Sequence, residues 1–163
     1  MSGLPINGLP KKRPCNLVMA CGNPERGDDG LGPALIERLA NLNRSDFETD
    51  ADYQLNIEDA ASLANYERVL FIDASISAPP PFNLESLAPT TEIAFTSHSV
   101  SPGAVLAICH DHFHHVPEAW VLGIRGYQFD LGQGLSSDAR VNLDAAFARV
   151  IELLDSWNRC GKV

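Results

Sequence analysis

The chain has 163 residues, the length of one domain, with 45% apolar and 20% charged residues, which is ordinary for a globular protein. A formal net charge of −9 and a pI near 4.8 argue against a nucleic-acid or anionic-membrane surface, and no apolar run is long enough to span a bilayer. Neither nucleic acid nor membrane is expected as a partner.

The first residues, MSGLPINGLPKKRPC, are rich in Gly and Pro and then basic, and no secretory apolar core follows before Asn16. They read as a flexible tail over 1–15, ahead of one domain over 16–163. Of the four cysteines (Cys15, Cys21, Cys109, Cys160), none makes a C-x-x-C pair. Cys15 and Cys21 flank one expected strand, roughly 20 Å apart when extended, too far for a disulfide. Reduced thiols in the cytoplasm are the simplest account.

Strand and helix patterns then alternate. Asn16–Gly22 is an apolar run, read as a strand buried on both faces. Gly30–Asn41 carries Leu31, Leu35 and Leu39 at helical spacing. A polar loop, NRSDFETDAD, follows, and Tyr53–Glu58 alternates apolar and polar residues as a strand does. Asp59 suits the cap of a short helix through Tyr66. Arg68–Ala74 is a second buried strand, and the prolines at 79–81 open an irregular crossing. Thr91–Thr96 reads as an edge strand. Ser101 and Pro102 start a helix over Ser101–His112, with Ser101 at the cap and Pro102 at the first helical position. Ala119–Arg125 is the last strand, and Ser136–Trp157 a long terminal helix. The expected architecture is α/β: one three-layer α/β/α domain on a twisted, mostly parallel sheet.

The chemistry concentrates after the first strand, in ACGNPERGDDGLGPALIERL (20–39). That turn falls at the carboxyl end of a strand, where α/β proteins bind ligands. It holds neither G-x-G-x-x-G nor G-K-[ST], and Glu25, Asp28 and Asp29 would repel a pyrophosphate. Acids there suit a cation, or a general base facing a polarised substrate. Asp73 closes RVLFIDA at the same rim of a parallel sheet, and His98 falls between an expected strand and the helix from Ser101. Two carboxylates and an imidazole form a mixed O/N set for a first-row divalent metal. Bland readings stand beside this one. Asp29 could cap the following helix, Asp28 could be solvated, Asp73 could bond its own loop, and His98 could be an ordinary loop histidine. The glycines Gly22, Gly27, Gly30 and Gly32 read as turn chemistry.

These segments carry a family resemblance. GNPERGDDGLGPALIERL resembles the opening motif of the nickel–iron hydrogenase maturation endopeptidases: Gly-Asn, variable residues, two acids, G-x-G and a helix. RVLFIDAS, SHSVSPGAVLAI and LGIRGYQFDLGQGLSSDARVNLDAAFARVIELL resemble the later strand, His-bearing turn, and last strand with terminal helix, from about Leu17 to Leu154. The resemblance implies an α/β/α fold and removal of a C-terminal extension from the hydrogenase large-subunit precursor once nickel is inserted. It also implies that Asp29, Asp73 and His98 touch that nickel, with Asp28 as competitor to Asp29. The partner would be the [NiFe]-hydrogenase large-subunit precursor, and Ni²⁺ would be met in the substrate rather than held as a cofactor. NIEDAASLANYE stands where many members carry a Gly-rich stretch, and His98-Ser99-Val100-Ser101 replaces the frequent H-Q-L-G.

No G-x-S-x-G and no activating cysteine motif is present, so hydrolysis is expected to use water, with Asp29 and Asp73 as the catalytic acids of an aspartyl-type endopeptidase and Asp28 as a further candidate. A non-catalytic nickel-binding maturation chaperone is the alternative. A flavodoxin-like or Rossmann-like small-molecule domain would need a phosphate-friendly turn, which the acids disfavour. Within CHDHFHH (109–115), His110 and His114 would share a helix face, suited to a metal ion or simply to the helix's negative end.

Overall fold

The computed structural model describes residues 15–90 and 100–160, with the side chain of Cys160 left out. Most of the expected tail, the strand expected over 91–96 and His98 lie outside the described residues.

Five strands form one sheet: β1 (Asn16–Cys21), β2 (Glu48–Asp52), β3 (Arg68–Ser75), β4 (Phe82–Leu87) and β5 (Glu118–Arg125), in the order β2-β1-β3-β5-β4. Only β4 runs antiparallel, against β5. The helices are α1 (Leu31–Ala40), α2 (Asp59–Leu63), α3 (Pro102–Phe113) and α4 (Ser137–Cys160).

The alternation of side chains along each strand divides the core in two. Val18, Ala20, Leu70, Ile72, Leu122 and Ile124 pack against α1 and α4 on one face. Leu17, Met19, Val69, Phe71 and Ala119 pack against α2 and α3 on the other. Strands buried on both faces read as continuous apolar runs, which is why β1, β3 and β5 were visible in the sequence. Layers of helix, sheet and helix result, the α/β/α arrangement expected.

Three local expectations change. The strand expected at Tyr53–Glu58 is displaced: β2 occupies Glu48–Asp52 instead, inside the supposed polar loop, and 53–58 forms bends and a turn. As an edge strand β2 leaves Asp50, Ala51 and Asp52 exposed, so it carries no apolar alternation. Only Leu55 of the apparent alternation is buried, while Tyr53 and Ile57 stand in solvent. The second change is β4, which follows the prolines at 79–81 and is the other, equally polar edge. The helix after Asp59 also stops at Leu63, and Asp59 serves the preceding turn by accepting from Asn56 N at 2.7 Å. At α3 the expected start is observed: Ala104 N donates to Ser101 Oγ at 3.2 Å, with Pro102 first in the helix.

β1 connects through α1 to β2 on one side, and the chain then crosses to β3 on the other. The carboxyl ends of β1 and β3 therefore flank the topological switch point, where open α/β sheets form a crevice.

Candidate active site

The acidic turn fills that crevice by a close approach of backbones. Gly22 has φ +143, and a Cβ there would meet Asp29 O at 2.0 Å. Only glycine lets the 3-10 turn Gly27–Gly30 lie this close to the end of β1. Asn23 N then donates to Asp29 Oδ2 at 2.7 Å, and Asn23 Oδ1 accepts from Glu25 N at 2.9 Å. The turn is thus closed on itself, and Asp29 Oδ1 has no hydrogen bond among the described residues.

Asp28 has the opposite environment. It is fully buried, and its carboxylate accepts from Tyr127 N (2.7 Å), Gln128 N (3.0 Å), Ser136 N (2.7 Å) and Ser136 Oγ (2.8 Å). Burial opposes its charge, but the Ser136, Tyr127 and Gln128 hydrogen bonds outweigh burial and hold its pKa below the ordinary carboxylate value. Its own N–H donates to Gln128 O, and Gly27 N to Gln133 O, so the loop from 126 to 136 is fastened onto the turn. Asp28 does not line the cleft; it holds the support beneath Asp29.

Asp73 extends the β3 face that carries Val69 and Phe71, towards α2 and α3. Its Oδ1 accepts from Ala74 N at 2.8 Å. Asp29 and Asp73 line one cleft of about 460 Å³, with Cys21, Gly22, Tyr53, Leu55, Ser101 and Pro102 among its other walls. Asp73 is exposed by surface area, yet it sits in the floor of a concave cleft whose walls limit how fully water surrounds it. Desolvation is the main cause that raises its pKa to about 6; Ala74 N–H works against the shift and the neighbouring Asp29 charge adds to it. Cys21 pairs laterally with this site, one step past the register Ala20–Ile72. Burial first, then Asp73, Asp59, Asp52 and Asp50, push its thiol up to about 12, so it stays protonated and is no nucleophile.

Of the three residues singled out as metal-touching, the structure brings two carboxylates into one cleft, while His98 lies outside the described residues. No group of three metal-ligating side chains forms among the described residues. At the histidine-rich segment, α3 ends at Phe113 and His114 takes a left-handed conformation (φ 54) as its cap. His110 and His114 thus do not share a helix face, and His115 Nε2 lies 2.7 Å from Tyr66 O. Sequence reasoning did not find the wall residues Cys21 and Tyr53. Their signal is positional: Cys21 ends β1 and Tyr53 follows directly on β2, two strands that end at this rim.

A crevice floored by two acids at the switch point of a mostly parallel sheet places the chain among the open-sheet α/β/α proteins. Within that class, solved structures specify the relationship. The backbone is similar to the hydrogenase maturating endopeptidase HybD from E. coli (TM-score 0.70, 20% identity, 86% of this chain and 92% of that one). It is likewise similar to the [NiFe] hydrogenase maturation protease HycI from Thermococcus kodakarensis KOD1 (TM-score 0.67, 19% identity, 86% and 93%). A third is the [NiFe] hydrogenase maturation protease HybD from Thermococcus kodakarensis (TM-score 0.57, 25% identity, 85% and 98%). The chain therefore has the fold of the hydrogenase maturation proteases over most of its length. No protein-family model and no curated protein matches it.

Proposed function

We propose that this protein is a hydrogenase maturation endopeptidase that removes the C-terminal extension of a nickel-loaded [NiFe]-hydrogenase large-subunit precursor in the cytoplasm. The observation that carries this reading is the pairing of Asp29 and Asp73 in one cleft, each with a carboxylate oxygen left unbonded among the described residues, within a fold shared with proteases of that name.

The nickel belongs to the substrate. Asp29 Oδ1 and the second oxygen of Asp73 are hard anionic donors suited to such an ion, and His98 is the third donor the sequence offers. Anchoring a metal buried in the precursor fixes the scissile bond against the acids, and this is why cleavage waits for nickel insertion. Water then attacks the scissile carbonyl. Asp73, whose pKa of about 6 suits a base near neutral pH, takes the water proton and passes it to the amide nitrogen as the C–N bond breaks, so that the amine leaves and the carboxylate is restored. Asp28 is kept for the scaffold.

The test is incubation with nickel-loaded and nickel-free precursor, read by intact mass, using wild type and Asp73→Ala. A discrete C-terminal mass loss only with wild type and nickel-loaded precursor is expected. Equal cleavage in all four combinations overturns the reading, and nickel-dependent binding without mass loss replaces it with a maturation chaperone.

A further inference from the structure

Among the described residues the outer edge of β2 is open. Gly22 N donates to Asp52 O at 3.1 Å, so the even-numbered residues of β2 direct their backbone groups at β1, and Thr49 and Ala51 direct theirs outward. β2 has no strand on that side, and no hydrogen bond reaches the N–H or C=O of Thr49 or Ala51 among the described residues. Two residues thus present four backbone groups in the spacing that an extended chain would pair with.

This edge continues into the active-site cleft. A second cavity of about 250 Å³ is lined by Gly22, Pro24, Pro33, Ala51, Asp52 and Tyr53. Gly22 and Tyr53 also line the main cleft, so the two cavities adjoin across them. A peptide leaving Asp29 and Asp73 over Gly22 meets the β2 edge next.

The side chains state what kind of chain fits. The register Leu17–Glu48, Met19–Asp50 and Cys21–Asp52 puts these three acids on the α2/α3 face, the face of Asp73. Tyr66 OH donates to Glu48, whereas Asp50 and Asp52 are exposed. A second copy of β2 would bring the same acids against them, and like charges across a strand pair are destabilising. A strand with Lys or Arg at alternate positions is complementary instead.

We infer that the precursor is held by strand addition: an extended segment beside its scissile bond pairs with the outer edge of β2 through Thr49 and Ala51, its basic side chains facing Asp50 and Asp52. The identity of the peptide rests on the endopeptidase reading above; the binding mode rests on the edge itself.

Proline tests it without breaking the sheet, because Ala51 N–H faces outward and edge strands tolerate proline there. Ala51→Pro should lower kcat/KM for nickel-loaded precursor roughly tenfold or more, through KM, the scale of losing one or two hydrogen bonds and blocking the pairing. Its melting temperature should stay within a few degrees of wild type. Asp50→Lys, which leaves the backbone intact, should weaken binding in the same direction. Unchanged KM in both variants overturns the proposal. A second arm needs no catalysis: amide hydrogen exchange of wild type with a synthetic peptide alternating Lys and Val. Protection at Thr49 and Ala51 supports strand addition, and none at saturating peptide overturns it. If wild type cleaves no precursor, the endopeptidase reading falls and the exchange arm decides the edge alone.

Discussion

Ser136 donates both its backbone N–H and its hydroxyl to the Asp28 carboxylate, at 2.7 and 2.8 Å, across a separation of 108 residues. The same hydroxyl accepts from Ala139 N at 3.2 Å and so caps α4. One carboxylate therefore ties the acidic turn, the loop after β5 and the terminal helix together. Replacing it leaves buried donors unpaired, and Asp28→Ala should cost on the order of 3 kcal/mol in denaturant unfolding. Because the Asp28 pKa is lowered in the folded state, its contribution is present above the ordinary value of 3.8 and is lost as pH falls below it. The stability gap between wild type and Asp28→Asn should accordingly narrow between about pH 5 and pH 3. A gap that is constant with pH would contradict this role.

Asp73 should behave in the opposite sense. Its folded pKa is raised to about 6, so its ionisation works against folding: the neutral acid costs nothing below 3.8, and stability is lost as pH rises through 6. Asp73→Asn removes that penalty. It should abolish precursor processing while melting no lower than wild type at neutral pH, the pattern of a group retained for chemistry at the expense of stability. Melting curves at about pH 4 and pH 7.5 measure it, and a clear loss of stability at pH 7.5 would show that Asp73 is structural.

Which parts of this were legible beforehand follows from where the free energy lies. β1, β3 and β5 are buried on both faces, so their apolar runs announce them; Ser101-Pro102 announces α3 through capping chemistry. β2 and β4 are edges with acids and amides along them, and nothing in ETDAD distinguishes an exposed strand from a loop. Within the site, the meeting of Asp29 and Asp73 followed from two strand ends at one rim. The division of labour between Asp28 and Asp29 did not, since adjacent acids in a turn are equivalent until residues 127, 128 and 136 arrive to claim one of them.

Gly22 sets the distance between the end of β1 and the backbone of Asp29. A methyl group there would lie 2.0 Å from Asp29 O, at a φ of +143 that other residues rarely adopt. Gly22→Ala must push the 3-10 turn away from the strand, and Asp29 moves with it. The expected cost is about 2–4 kcal/mol of stability, combining backbone strain with the lost fit. Processing should fall by at least about a hundredfold, as expected when a reacting group shifts by about 1 Å. Unfolding and single-turnover cleavage measured on the same sample separate the two effects. Full activity in a folded Gly22→Ala protein would mean that the position of Asp29 does not matter.

If the protein acts as proposed, protons and the precursor's nickel compete for Asp73. Its carboxylate is then ionised and open to the metal at neutral pH; as pH falls through about 6 it takes up a proton and ceases to be an anionic donor or a base. Single-turnover cleavage of nickel-loaded precursor should therefore decline below about pH 6, approaching tenfold per pH unit once Asp73 is mostly protonated. On that reading nickel binding lowers the apparent pKa, so the decline should begin at lower pH when precursor is saturating than when it is scarce. Asp28 does not produce this profile, because its hydrogen bonds keep it ionised throughout the range. A rate that stays level from about pH 7.5 to pH 5 at scarce precursor would remove Asp73 from both roles, as ligand and as base.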